Sequence, residues 1–200
     1  MHKLLLLLLP VLVSGCVFAP QKASIAPTIS VAESRVGNGV AVLVSVVDER
    51  PDKSIGKRGV GGAGADIMPA ENVEVSVQNA IVDGLKRKGF RVVDVADASA
   101  SKLGIEVRFL QYSLSMGFWS GGCNVKVALK AIGSGNGKTY DHLYRTDREE
   151  RVQIAPTAAT NEKWINDALS TTIQELLDDP ALIEVLSQKA TAAEKVAASQ

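Results

Sequence analysis

The sequence is poor in the residues from which catalytic and metal sites are usually built. It contains two cysteines, Cys16 and Cys123, and two histidines, His2 and His142. His2 lies in an N-terminal segment that we expect to be cleaved, and Cys16 is expected to be modified, which leaves one imidazole, His142, and one thiol, Cys123. One histidine and one cysteine cannot supply the four ligands of a structural zinc site, and a single cysteine cannot form an intrachain disulfide, so both are excluded. No serine lies in a nucleophile-elbow sequence. We therefore expect no catalytic residue, no metal and no cofactor.

Net charge is also absent, and aromatic residues are few. The 22 lysines and arginines balance 22 aspartates and glutamates, and aromatic residues make up 4% of the chain. A general nucleic-acid-binding protein needs a basic face that displaces counterions from phosphates, so this class is excluded. Hydrophobic residues account for 46% of the 200 residues, which is enough for the core of one domain.

The longest apolar run stands at the N-terminus, where leucines occupy positions 4–9 after Lys3. This run is shorter than the stretch of about 20 apolar residues that crosses a bilayer, and it is typical of a secretory signal peptide. It ends in Val13-Ser14-Gly15-Cys16, which resembles the lipobox of bacterial lipoproteins. The resemblance implies cleavage between Gly15 and Cys16 and attachment of acyl chains such as palmitate to Cys16. An ordinary signal peptide with a chance cysteine is the alternative.

The residue that follows this cysteine predicts the membrane in which the protein is anchored. Val17 stands where a signal for retention in the inner membrane usually places Asp. We therefore expect anchoring in the outer membrane, with the protein on the periplasmic face. Several acyl chains hold a protein firmly, whereas a single chain anchors it only marginally.

The composition divides the chain into four parts. Residues 1–15 form the signal peptide, and residues 16–39, rich in Ala, Ser and Pro, form the lipidated N-terminus and a tether. Residues 40–188 form a single domain, and residues 189–200 form a flexible tail without an apolar period.

Apolar periodicity predicts the elements of this domain. Strands are expected at residues 40–47, 90–95, 103–114, around Cys123 to Ala131, and at 138–152, with helices at 73–88, after a Thr160 cap, and at 180–188. The alternation through Phe109 shifts parity at Leu110, which indicates a bulge. Cys123 lies on the apolar face of its strand, so we expect it to be buried as a small hydrophobic residue, with an interchain disulfide as the alternative.

This order of elements predicts an α+β fold. We expect a two-layer sandwich with a mostly antiparallel sheet of about five strands, one crossover helix, and C-terminal helices on one face.

Several of these features together resemble the YajG-like family of bacterial lipoproteins. They are the lipobox, the Asp48-Glu49-Arg50 turn, the helix end at Gly89-Phe90, and the spacing of residues 161–186. The resemblance covers residues 16 to about 186. It supports the envelope location and the fold, and it implies no catalytic role.

Charged residues gather after the first predicted strand. Asp48, Glu49 and Asp52 offer too few oxygens for a cation site, so we expect a turn held by an Arg50 ion pair. The alternative is that basic residues there contact an anionic partner: Arg50, Lys53, Lys57 and Arg58. The run from Gly59 to Gly64 matches G-x-G-x-x-G but lies too far from the strand for a dinucleotide site, so we expect a flexible loop.

Two large aromatic residues, Phe118 and Trp119, stand in a glycine-rich connection between predicted strands. Either they fold back over the sheet edge, or they form an exposed tip for partner docking or headgroup contact. His142 is expected to be an exposed strand residue, with a pH-sensing or base role as the alternative.

Two functions follow from these observations. The first is a non-enzymatic, lipid-anchored envelope module that binds another envelope protein, or assists assembly of a complex, through Phe118, Trp119 and the basic loop. The alternative is a carrier or sensor of a small envelope ligand, such as a lipid or glycan fragment. A cavity lined by Tyr112, Tyr144 and Trp164 would favour the alternative.

Overall fold

The computed structural model describes residues 20–59, 64–95, 99–117 and 120–188. One sheet contains eight strands: β1 (Gln21–Ala23), β2 (Ala41–Asp48), β3 (Gly56–Lys57), β4 (Asp66–Pro69), β5 (Arg91–Val93), β6 (Ser101–Met116), β7 (Gly121–Gly135) and β8 (Lys138–Val152). Three helices accompany it: α1 (Val73–Arg87), α2 (Ala158–Asp178) and α3 (Pro180–Ser187). None of the described helices is both long enough and apolar enough to span a membrane.

Local signals determine where α1 ends. The N–H of Phe90 donates to the carbonyl of Leu85 at 3.0 Å, and the N–H of Gly89 donates to that of Lys86 at 3.0 Å. Gly89 has a φ of 84°, so this is a Schellman motif, in which the left-handed residue is most often glycine. The predicted helix end at Gly89 is confirmed.

The caps of the two C-terminal helices differ in how well they were predicted. Asp179 caps α3 by accepting a hydrogen bond from the N–H of Ala181 at 2.8 Å, as expected from the Asp-Pro pair. The predicted cap of α2 at Thr160 is wrong, because Thr157 accepts from the Thr160 N–H at 3.2 Å. The helix therefore begins before Thr160, at Ala158.

The longest strands, β6, β7 and β8, form an antiparallel meander. The β7–β8 turn places Asn136 and Gly137 at φ values of 47° and 72°, the left-handed pair of a tight hairpin, so the predicted hairpin is confirmed. The predicted bulge in β6 is also present, between Val107 and Phe109. It lies slightly earlier than the parity shift at Leu110 suggested, and it turns the Phe109 side chain away from the core.

The rest of the sheet corrects the predicted topology. β2 runs parallel to both β5 and β6, β1 runs parallel to β4, and β3 runs parallel to β6. Four of the seven pairings among the described strands are parallel, so the prediction of a mostly antiparallel sheet of about five strands is wrong. The physical reason is that a helical crossover such as α1 returns the chain to the end where β2 began. The α+β class is confirmed, as a curled, mixed sheet with three helices.

All three helices contact the same face of the sheet. Hydrogen bonds join the helices to this inner face. Gln78 of α1 donates to the carbonyl of Val44, and Thr172 of α2 donates to Thr146 of β8. Tyr144 of β8 donates to Asp179, which caps α3. The fully buried large side chains of this layer include Ile81, Leu85, Leu103, Ile105, Leu129, Ile165, Leu169, Ile173 and Leu176. The opposite, outer face of the sheet is covered by none of the described helices.

An extended segment at residues 24–30, called the strap below, lies along α2. Alternate backbone N–H groups of the strap donate to side chains spaced four residues apart on the helix: Ser24 to Glu162, Ala26 to Asn166, Thr28 to Ser170, and Ser30 to Gln174. The spacings match because two extended residues advance about 6.6 Å and four helical residues about 6 Å. The predicted tether at residues 16–39 is therefore corrected, since the chain from Gln21 onward belongs to the folded domain.

Candidate functional site

The candidate site lies at the bulge in β6, where the neighbour of this strand changes. β2 pairs with β6 as far as Val107, and β3 pairs with it at Tyr112. The loop at residues 49–55 bridges the gap, with the N–H of Glu49 donating to Val107 at 3.1 Å and the N–H of Tyr112 donating to Ile55 at 2.6 Å. Bulges interrupt a strand ladder and redirect side chains, and they are frequent beside functional sites.

An ion pair holds this bridging loop in place. The guanidinium of Arg50 donates to both carboxylate oxygens of Asp48, at 2.9 and 2.8 Å, and to the carbonyl of Leu110 at 3.4 Å. Burial disfavours ionisation of Asp48, but the hydrogen bonds from Arg50 outweigh it and hold the pKa of the carboxyl below its usual range. Arg50 is 5% exposed, so its donors act within the chain, as expected for a turn held by an ion pair.

The other predicted basic residues lie along the loop and the strand that follow. The ammonium of Lys53 donates to the Asp48 carbonyl at 2.7 Å, and that of Lys57 pairs with Asp66 at 3.1 Å. The backbone N–H of Arg58 donates to Ala65 at 2.9 Å. The side chains of Lys53 and Lys57 are 54% and 49% exposed, so both are accessible from solvent.

Phe109, at the bulge, is a large hydrophobic side chain exposed on the outer face. It is 41% exposed and separates two open clefts. One cleft, of about 230 Å³, lies between the bridging loop and β6, with Pro51 and Ile55 among its lining residues. The other, of about 380 Å³, crosses β7 and β8 and is lined in part by Ala128 and Leu143. An apolar side chain from another molecule would find a hydrophobic floor on either side of the ring.

Charged residues surround Phe109 on the outer face. Lys126 pairs with Asp147 at 3.4 Å, and Arg108 pairs with Glu49 at 3.4 Å. Arg108 also pairs closely with Glu106. Arg145 lies directly across β7 from Phe109, since Ala128 is the register partner of both. Within the part of the chain that the structure describes, Arg145 forms no ion pair, so its charge is available to an acidic group.

The aromatic tip and most of the glycine run lie beyond what the structure describes. Phe118 and Trp119 fall outside the described residues, as do residues 60–63 between Gly59 and Gly64. Their predicted contact and loop roles therefore stay predictions. His142 is exposed in β8, between the rings of Tyr140 and Tyr144.

The polar side chains of Cys123, Tyr112 and Tyr144 are buried beneath the sheet, and both tyrosine hydroxyls form hydrogen bonds within the protein. Cys123 is 0% exposed, and burial raises the pKa of its thiol to about 11, which confirms its predicted burial as a small hydrophobic residue. The hydroxyl of Tyr112 donates to Asn161 at 2.8 Å, and that of Tyr144 donates to Asp179 at 2.6 Å. Both rings are buried, so they fill the core.

The turn at Asp48 and Arg50 was predicted from the sequence, whereas the exposed positions of Phe109 and Arg145 were not. The bulge itself was the available signal. A parity shift one residue earlier would have placed the aromatic ring on the outer face, among charged residues of alternating sign. Among the described residues, no group of three or more His, Cys, Asp or Glu side chains is arranged to hold a metal ion.

Two solved structures share the fold. A Xanthomonas campestris protein has a TM-score of 0.55 and 16% sequence identity, and the match covers 82% of this chain and 95% of that one. A second, uncharacterized protein has a TM-score of 0.50 and 12% identity, over 78% of this chain and 97% of that one. At these identities the likeness concerns the fold alone. No curated protein matches the chain.

The family comparison gives the closer identification. A family model described as an uncharacterized lipoprotein matches residues 27–187, which is most of the chain. The match agrees with the YajG-like resemblance of the Asp48 turn, the helix end at Gly89 and the C-terminal helices, whereas the lipobox lies outside the matched residues. The chain therefore belongs to the YajG family of uncharacterized bacterial lipoproteins.

Proposed function

We propose that the protein is a non-enzymatic module, anchored by acylated Cys16 in the outer membrane, that binds another envelope protein on its periplasmic side. The docking surface is the outer face around Phe109. The observation that carries this proposal is a 41% exposed phenylalanine at a strand bulge, between two clefts, on a sheet face that no described helix covers. Aromatic anchors of this kind supply much of the binding energy at protein interfaces.

The surface favours a particular kind of partner. The clefts have apolar floors, and Arg145 presents a positive charge beside them. A complementary partner offers an apolar side chain with a carboxylate next to it, so that the ring is covered and the arginine is paired. On the same face, Lys126 is paired with Asp147 and Lys130 with Asp141, and these pairs form part of a solvated rim.

The alternative, a carrier of a small lipid or glycan fragment, receives no support from the residues that would have favoured it. Tyr112 and Tyr144 are 1% and 5% exposed, and their hydroxyls are hydrogen-bonded to Asn161 and Asp179. Trp164 is partly buried and packs against the same hydrophobic core. Buried polar groups that are satisfied in this way belong to the packed core and do not line a ligand cavity.

A photo-reactive amino acid at position 109 tests the docking surface in intact cells. We expect one discrete protein adduct that weakens several-fold when Arg145→Glu is added, because the partner carboxylate then meets a like charge. Lys138→Glu, an exposed change at the far β7–β8 turn, is the matched control and should leave the adduct unchanged. The same photo-reactive group at Val75, 54% exposed on α1, should give no such adduct.

Three outcomes would contradict the docking surface: no adduct from position 109, an equal adduct from position 75, or an adduct that Arg145→Glu does not weaken. The anchor is tested separately by Cys16→Ser, which removes the only thiol at the lipobox. We expect the variant to fold and to leave the membrane fraction, and its retention in the membrane pellet would refute lipidation.

A further inference from the structure

The direction of the strands brings four separate segments to one end of the domain. β6 ends and β7 begins there, with Met116 opposite Gly121, and β8 ends there, with Val152 also opposite Gly121. β3 is parallel to β6, and β4 is antiparallel to β3, so β4 begins at the end where β6 stops. β1 is parallel to β4 and therefore begins there as well. The start of α2 is tied to the start of β1, since the amide of Gln21 donates to the Ala158 carbonyl at 2.8 Å.

The proposed lipid anchor lies within a few residues of this end, which is called the proximal end below. Cys16 is separated by only four residue steps from Pro20, where the described chain begins. Four fully extended steps span about 14 Å at most. Residues 24–30 of the strap are hydrogen-bonded along α2, so they do not lengthen the link between Cys16 and the domain. The domain therefore stays close to the membrane.

Among the described residues, the tip of the proximal end, where β6 meets β7 and β8 leads to α2, contains no charged residues. Its uncharged stretches are residues 109–117, 120–125 and 152–161, in a chain of which 22% is charged. Charged residues border this tip: Lys22, Arg58, Arg151 and the Lys57–Asp66 pair. At the distal end, charged residues stand at the ends of the strands and helix themselves: Arg35, Lys86, Arg87, Lys88, Arg91, Lys102 and Lys138. An uncharged tip with charged residues at its border is expected of a surface that faces a membrane.

The described residues of the proximal end also present an apolar side chain to the outside. Ile154 is 81% exposed, and its neighbours Gln153 and Ala155 are exposed as well. Arg151 and Lys22 are exposed beside this surface, where basic groups can meet lipid phosphates. Apolar side chains flanked by basic ones are typical of surfaces that rest in the interfacial region of a bilayer.

From this geometry we propose that the proximal end rests on the bilayer that holds the acyl chains, with Ile154 at the boundary between headgroups and acyl chains. The inference rests on the lipid anchor of the proposed function. β6 has 16 residues, so the distal end stands about 50 Å from the membrane surface. The outer face then rises from the membrane and stays open to a protein partner.

Photo-crosslinking to phospholipid tests this orientation. The acylated protein is reconstituted into vesicles of phosphatidylethanolamine with phosphatidylglycerol as the minor lipid, and it carries a photo-reactive amino acid at position 154. The matched control carries the group at Val36, a hydrophobic residue 47% exposed near the distal end. A third variant carries it at Val75, on the side of the domain. Mass spectrometry then measures phospholipid adducts at each position.

We expect at least a tenfold higher yield of phospholipid adducts from position 154 than from position 36 or 75. Comparable yields from positions 154 and 75 would mean that the domain lies on its side, which overturns the proposal. The absence of adducts from position 154 in protein that floats with the vesicles overturns the orientation while leaving the anchor intact. Protein that does not float with the vesicles refutes the anchor itself, and the orientation with it.

Discussion

The strap is predicted to depend on Asn166, which binds it from both sides. The Asn166 side chain accepts from the N–H of Ala26 at 2.8 Å and donates to the carbonyl of Ser24 at 2.8 Å. Each such hydrogen bond contributes about 1 kcal/mol to stability. Replacing Asn by Ala stabilises the helix itself by about 0.6 kcal/mol, because alanine has the higher helix propensity. We therefore expect Asn166→Ala to lower the free energy of global unfolding by about 1.4 kcal/mol.

Hydrogen exchange can locate this effect in the strap. In the chain without signal peptide and acyl groups, the amides of Ala26 and Thr28 should exchange about thirtyfold faster in Asn166→Ala. The helix stays folded when the strap opens, so the helix propensity of alanine does not offset the two lost bonds, and opening becomes easier by about 2 kcal/mol. Thr171→Ala is the matched control, since the Thr171 hydroxyl bonds only the Asp167 carbonyl of its own helix. Unchanged exchange of both amides, or an equal effect of Thr171→Ala, would refute the reasoning.

Two further predictions concern the packing and the ion pair. Gly84→Ala should lower the free energy of unfolding by about 2 kcal/mol in urea titrations. The new Cβ would lie 2.3 Å from Leu177 Cδ1 and 3.0 Å from Ile29 Cδ1, and the cost of this overpacking exceeds the gain in helix propensity. Stabilisation by this change would contradict the close approach of α1 and α2. Since the pKa of Asp48 is held below its usual range by Arg50, its contribution is full above about pH 4 and is lost as the pH falls further. Asp48→Asn should therefore cost about 3 kcal/mol at neutral pH and less in acid, and an equal cost at both would refute this assignment.

The parts of the fold that were predicted from the sequence are those specified by neighbouring residues. The Schellman motif at Gly89 and the Asp179 cap of α3 each involve residues within five positions of one another. The β7–β8 hairpin follows from Asn136-Gly137 between two alternating runs. In each case one short segment contains both the donor and the acceptor, so a local pattern is sufficient.

The parallel half of the sheet and the strap depend on partners far apart in the chain. The run of valines in β2 predicts a strand buried on both faces, which is wrong for its second half, where Val47 is 50% exposed. The run also does not specify which strands lie beside β2. The strap has the composition of a tether, rich in Ala, Ser and Pro, and its backbone donors are satisfied by α2 side chains about 140 residues later. Such a partner is visible only once the helix and the segment are placed side by side.

The candidate site shows how a one-residue difference in register changes a functional interpretation. With the parity shift at Leu110, Phe109 would have been a core residue, whereas the bulge before it exposes the ring beside Arg145. The uncharged stretches behave in the same way. None of them stands out in the sequence, and only the strand directions bring residues 109–117, 120–125 and 152–161 together at the end where β1 begins. Because the proposed anchor precedes that same end, the proposed membrane contact and the proposed protein contact fall on different surfaces, and binding of a protein partner would not require release of the lipid.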